Sequence, residues 1–251
     1  MAAKAASRNG MLTRDLDFTG KRVLVTGAAH GFGAATARIF HAHGASLVLA
    51  DIEPDSVDPA LGQVVAYDQA DQGSIERLAG TAGPIDVLVN NAGVLLSKPL
   101  LETTAEEIRR LIAVDLMGVL LLTPLIARGM VERRRGVVVN IGSQTAFTGA
   151  VGRGIYASAK AAIAQYTRSA AVEWGPSGVR AVCVAPGRAV TRMTEAGIRA
   201  GTLAGRGLSR VPLGRWGQPE EIAKLVLFVA SDAASYITGE TIIADGGYVI
   251  G

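Results

Sequence analysis

A single cysteine, Cys183, in 251 residues excludes an intrachain disulfide and leaves no Cys cluster for zinc. That usage fits a reducing compartment, and the expected location is the cytoplasm. Within the apolar run AVCVA, Cys183 reads as an inert core residue. Histidine is scarce as well. His30, His41 and His43 have no spaced Cys or carboxylate partner, so no metal site is expected, and His41 and His43 read as surface residues. Charge is sparse and nearly balanced: 19% charged residues and a net charge of +3. No basic block is long enough to make nucleic acid the main partner, and ERRRG at 132–136 suits an exposed helix end, where cations meet the dipole. The N-terminal segment lacks the apolar centre of a secretory signal. Residues 1–15 are expected to form a flexible extension, with structure starting near Leu16. The longest apolar run, 111–127, contains Asp115 and Pro124 and is too short to span a bilayer, so no membrane partner is expected.

Apolar residues make up 49% of the chain, enough for one large core. Short β-branched runs alternate with helical patterns. The expected strands are 22–26, 46–50, 64–67, 86–90, 137–141, 179–185 and 240–244. Helical periodicity lies between them at 32–43, 74–82, 104–131, 155–174 and 219–230. The strands read as continuous apolar runs, as a parallel sheet covered on both faces requires. This alternation predicts an α/β fold with a doubly wound sheet, and residues 16–251 form one domain. Segment 187–217 is rich in Gly and Arg, weakly periodic and long for a loop, which marks it as a substrate-binding lid.

VLVTGAAHGFGAATARIF places Gly27, Gly31 and Gly33 between a strand and a helix, with His30 and Phe32 in the same turn. Such glycines let backbone N–H groups approach a pyrophosphate at a helix N-terminus. The spacing is G-x3-G-x-G. Asp51 ends the next strand, 24 residues after Gly27, and Ile52 follows it. An acid there bonds the adenosine ribose hydroxyls and repels a 2′-phosphate. His30 stands where Lys or Arg would favour that phosphate, so the expected cofactor is NAD, with NADP disfavoured. The bland alternative is that Asp51 merely opens the loop DIEPD.

Further stretches accumulate in order: NNAG (90–93), NIGS (140–143), YASAK (156–160), PGRAVT (186–191), PLGRWGQPEEIA (212–223) and YITGETIIADGGY (236–248). With TGAAHGFG (26–33) they make the chain resemble the classical short-chain dehydrogenase/reductase family over residues 16–251. The resemblance implies a Rossmann-type three-layer α/β/α sandwich with a seven-stranded parallel sheet, NAD(P) chemistry and a homotetramer or homodimer. It also implies that Asn91, Ala92 and Gly93 shape the cofactor groove, and that Asp68, beside Gln69, meets the adenine amino group. Pro186, Gly187, Val190 and Thr191 would hold the nicotinamide carboxamide.

The reaction implied is hydride transfer between a CH–OH group and the cofactor. Tyr156 and Lys160 are i and i+4 on one helix and share a face. A tyrosine's ordinary pKa of about 10 is high for a base near neutrality. A cation one turn away stabilises the phenolate, and Lys160 would supply it while gripping the nicotinamide ribose. Tyr156 would then act as general acid/base and Ser143 would hold the substrate oxygen. Asp115 is a departure, since the family usually carries Asn there, in a proton relay whose helix distortion holds a water. An ionised Asp115 would oppose Lys160, whereas one neutralised by burial would imitate the amide. Val182 also replaces a frequent Asn, with a small structural effect expected, and the crossover over 51–67 is short.

Substrate-lining positions are Ser143, Thr145, Arg153, Arg188 and Met193. The first reading of the substrate is a small-molecule secondary alcohol or ketone, polyol or sugar-like. The alternatives are a 3-oxoacyl thioester reductase and, from another class, a catalytically silent nucleotide-binding scaffold.

Overall fold

The computed structural model of the protein describes residues 15–192, 194–195 and 208–251. Seven strands form one sheet: β1 (Arg22–Thr26), β2 (Ser46–Asp51), β3 (Gln63–Ala66), β4 (Val87–Asn90), β5 (Gly136–Ile141), β6 (Val179–Pro186) and β7 (Thr241–Ala244). Their order is β3-β2-β1-β4-β5-β6-β7 and every pairing is parallel. All seven coincide with the runs expected from sequence to within a residue or two.

The helices are α1 (Gly31–Ala42), α2 (Gln72–Thr81), α3 (Ala105–Ile112), α4 (Gly118–Glu132), α5 (Gly154–Trp174) and α6 (Pro219–Ala230). They cover both faces of the sheet, which is why its strands carry no polar face. In β1, Val23 and Val25 join one core with Phe40 of α1 and Val226 of α6. Leu24, between them, joins the other core with Leu78 of α2, Leu122 of α4 and Ala170 of α5. Cys183 and Val182 are fully buried in β6, and burial pushes the Cys183 thiol up to about 11. An Asn at 182 would place an amide in that apolar core.

The β2–β3 crossover is short, as expected, and one other detail departs from expectation. The crossover between β2 and β3 holds no α-helix, only the single 3₁₀ turns Pro54–Ser56 and Pro59–Leu61. The apolar run 111–127 belongs to a 28-residue helical segment, Ala105–Glu132, long and apolar enough by length and composition to cross a membrane. It packs on the sheet instead, with Leu111, Leu122, Ile126 and Met130 buried. Between α3 and α4 its winding widens to a π-turn, Ala113–Met117. Residues 1–14, Met193 and most of the expected lid lie outside the described residues.

Strand order reverses at β1, whose chain continues to β2 on one side while β4 pairs on the other. The C-terminal ends of these strands open the crevice where open α/β sheets bind ligands.

Candidate active site

A cleft of about 690 Å³ lies over that switch point. One end is built by the β1–α1 turn. Gly27 takes φ +66°, and a side chain at Gly33 would run into the Gly27 carbonyl, so the first turn of α1 packs against the loop that feeds it. The N-cap of α1, His30, makes no side-chain capping bond, and no acid lies in the first turn. The uncapped N–H groups and the positive helix end suit a phosphate. Asn91 clamps this turn to β4, its Nδ2 donating to the carbonyls of Thr26 (2.9 Å) and Gly27 (3.0 Å). Thr26 Oγ1 accepts the N–H groups of Asn91 and Ala92, both at 3.1 Å.

Asp51 ends β2 on the cleft wall. Its oxygens accept the N–H groups of Ala29 (2.8 Å) and Glu53 (2.9 Å), so it both braces the glycine turn and opens the next loop. Arg192 reaches this edge from the loop after β6. It holds Glu53 at 2.6 and 2.9 Å and meets His30 Nε2 at 2.6 Å. Arg192, with help from His30, holds the Glu53 carboxyl down at about 2. Sequence reading missed this contact, which joins residues 139 positions apart.

Gln69 lies on the wall, but its Nε2 donates to the carbonyls of Ala92 (3.1 Å) and Val114 (2.7 Å). It braces the floor of the cleft by taking up a carbonyl of the π-turn region. Asp68 stands beside it, accepting the Ala70 N–H at 2.9 Å.

At the other end, Ser143 follows β5, and Tyr156 and Lys160 project from α5. Lys160 Nζ lies 5.7 Å from the Tyr156 ring centroid and donates to the Ile141 carbonyl at 3.2 Å. Thr145 Oγ1 and N–H both point at Ser143 Oγ, at 2.9 and 3.2 Å. With two donors already on its oxygen, the Ser143 hydroxyl is set to donate its own hydrogen outward.

Asp115 is the π-turn's carboxylate and is completely buried. Its Oδ1 accepts the Val94 N–H at 2.7 Å, and its Oδ2 forms an ion pair with Lys160 Nζ at 3.2 Å. Burial by itself would lower the Lys160 pKa. Asp115, with Tyr156 adding to it, carries the value above the ordinary lysine range. Gly93 makes room for this pair, since a Cβ there would sit 3.2 Å from Oδ2 and 3.4 Å from Nζ.

The cleft wall holds Gly27, His30, Gly31, Phe32, Asp51, Ile52 and Asp68 at the adenosine end, then Asn91, Ala92, Gly93, Pro186, Gly187 and Thr191. Five expected residues are not on the wall: Thr145, Arg153 and Arg188, of which Thr145 bonds the wall residue Ser143, and Gly33 and Val190, which serve packing. Val190 N–H bonds the Gly217 carbonyl at 2.9 Å. Met193 lies outside the described residues. The residues present therefore fit a dinucleotide: an anion-binding helix end, a buried acid beyond it, and a lysine and tyrosine at the far side.

A family profile described as enoyl-(acyl carrier protein) reductase matches residues 27–249. The chain is 40% identical to cis-4-hydroxycyclohexanecarboxylate dehydrogenase of Sinomonas cyclohexanicum, covering 92% of this chain and 97% of that protein. It is 38% identical to a 3-oxoacyl-acyl-carrier-protein reductase of Thermotoga maritima, covering 92% and 98%. A solved structure of a short-chain dehydrogenase/reductase family protein superposes with a TM-score of 0.87 at 36% identity, covering 93% and 100%. The chain belongs to the classical short-chain dehydrogenase/reductase family, whose members are oxidoreductases acting on CH–OH groups with nicotinamide nucleotides.

Proposed function

We propose that this protein is an NAD-dependent dehydrogenase of secondary alcohols, with Tyr156 as general base. The observation that carries the reading is the buried Asp115–Lys160 pair beneath Tyr156, at the far end of the cleft from the uncapped α1 terminus. Gly27, Gly31 and Phe32 would hold the pyrophosphate, Asp51 the adenosine ribose, and Lys160 and Tyr156 the second ribose. NAD⁺ supplies the hydride acceptor. Tyr156 takes the hydroxyl proton as the C–H bond breaks, and in reverse returns it to the alkoxide. Ser143, oriented by Thr145, donates to the oxygen on which charge develops. Lys160 stabilises the phenolate, and Asp115 keeps Lys160 charged despite its burial.

The cofactor preference follows from charge. Asp51 and Glu53 both border the adenosine end, and among the described residues the one arginine that reaches them, Arg192, is already paired with Glu53. A 2′-phosphate would meet two carboxylates and no free arginine among the described residues. Steady-state rates on a secondary alcohol should favour NAD⁺ over NADP⁺ by about tenfold or more in kcat/KM, about 1.4 kcal/mol. Equal or better rates with NADP⁺ would remove this reading. The relative that reduces 3-oxoacyl thioesters supports the opposite direction as the second reading. An acetoacetyl thioester assayed beside a ring alcohol and a polyol separates the two.

Assembly as a homodimer or homotetramer is part of the proposal. Met117, Leu121 and Leu125 recur at i, i+4 and i+8 along one helical face and are 45%, 37% and 43% exposed. Such a stripe suits a two-fold helix pairing. Sedimentation velocity should give two or four copies, and a monomer at micromolar concentration contradicts it. The lone buried cysteine is in keeping with a cytoplasmic enzyme.

A further inference from the structure

Two arginines near Tyr156, Arg153 and Arg188, each hold a buried guanidinium nitrogen with no hydrogen-bond partner. Arg153 is the N-cap residue of α5, three positions before Tyr156. Arg188 follows Gly187, on the loop that leaves β6 along the cleft. Arg153 Nη1 and Arg188 Nε are buried from solvent and have no hydrogen-bond partner. Neither residue joins an ion pair among the described residues. Burial lowers the Arg153 pKa, Tyr156 raises it, and Arg188 lowers it again, so the two guanidiniums and the tyrosine share one electrostatic neighbourhood.

Nearby acids are engaged elsewhere. Asp245, against Gly187, accepts the N–H groups of Gly247 and Val249, both at 2.8 Å. Glu221, near Gly217, is held by Arg215 at 2.7 Å. Aromatic rings instead fix the position of Arg188. Its Cζ lies 5.2 Å from the Tyr248 ring centroid and 5.9 Å from that of Trp216. A third cation, Arg210, stands over Tyr248 at 4.6 Å. Stacked arginines are rigid, so their donors are aimed in advance. Buried, unpaired guanidinium donors are costly, and a like-charged pair adds to the cost. What removes that cost is an anion with two acceptor oxygens, which a guanidinium fork matches bidentately.

We propose that Arg153 and Arg188 form a carboxylate subsite, and that the substrates are therefore hydroxy acids whose carboxylate lies beyond the carbinol carbon that Tyr156 and Ser143 address. The inference rests on the alcohol-oxidising reading above and adds the substrate class.

The test separates binding from turnover. Calorimetry on the NAD⁺-loaded enzyme compares cyclohexanecarboxylate, which has no hydroxyl to oxidise, with cyclohexanecarboxamide. The carboxylate is expected to bind at least about tenfold more tightly. Arg153→Gln and Arg188→Gln should each bring the ratio toward one. Where a Gln variant no longer binds NAD⁺, the Lys variant at that position keeps the charge without the fork, and the ratio should be intermediate. Equal affinity for the two ligands in the unmodified enzyme, or variants that keep the ratio, overturns the subsite. Turnover of 4-hydroxycyclohexanecarboxylate against its carboxamide is read in parallel. Turnover of both at similar rates, with no binding preference, sinks the subsite and leaves the dehydrogenase reading. A binding preference with no turnover of either supports the subsite and sinks the alcohol-oxidising reading.

Discussion

Tyr156→Phe is expected to lower kcat for alcohol oxidation by about 10³-fold while leaving the melting temperature nearly unchanged. General acid–base transfer contributes roughly 10²–10⁴ to such reactions, so 10³ corresponds to about 4 kcal/mol of barrier. The substitution removes one oxygen and keeps the ring, which is half-buried and 5.7 Å from Lys160 Nζ. Packing of the ring is preserved, so a large rate loss beside an intact unfolding transition assigns the effect to the hydroxyl. In the ground state Ser143 Oγ is bonded by Thr145, which leaves Tyr156 as the proton acceptor at this end of the cleft. A variant retaining more than about a tenth of the rate would mean that another group or water takes the proton, and the role given to Tyr156 would be withdrawn.

The strands were legible because burial on both faces demands unbroken β-branched runs, and VLVN or VVVN can be little else between helical patterns. Tyr156 and Lys160 were legible because their pairing is local, one helical turn apart. What escaped was whatever depends on partners remote in sequence. Asn90 ends β4 and Asn140 stands one residue before the end of β5, and a buried ladder explains them. Asn90 Nδ2 donates to Thr123 and to Asn140, both at 2.8 Å, and Asn140 Nδ2 donates to Thr167 at 2.9 Å. An amide at or near the end of an apolar strand was the available signal, but only the neighbouring strand and the packed helices supply the acceptors. Gln69 could not be told from a ligand residue, because its bond to Val114 depends on the π-turn. Arg192 lay hidden in a Gly/Arg-rich segment with no periodicity to orient it. Asp115 was conspicuous as a lone charge in an apolar run, and its burial and pairing follow from what faces it across the fold.

Lys160→Met is expected to abolish activity and to destabilise the fold by about 3–5 kcal/mol, because it leaves the wholly buried Asp115 carboxylate without its cation. Folded domains are stable by only about 5–15 kcal/mol, so the loss is visible in any denaturant titration. Adding Asp115→Leu should restore part of the stability, less the cost of the Val94 N–H it leaves unbonded, and none of the activity, which separates the pair's structural part from its chemical part. Asp115→Asn isolates the chemistry. The amide still has an oxygen to accept the Val94 N–H, so the π-turn is kept. What changes is the field at Lys160. Asp115 is the chief influence holding that ammonium above the ordinary lysine range against burial, so in the Asn variant Lys160 loses its proton at lower pH. The alkaline limb of the rate profile therefore moves down. While Lys160 stays charged, no carboxylate offsets its field at Tyr156. Oxidation rates measured across the pH range should show the alkaline limb displaced toward acid. A profile that does not move, with the rate unchanged, would leave Asp115 a packing residue and return the control of Tyr156 to Lys160 alone.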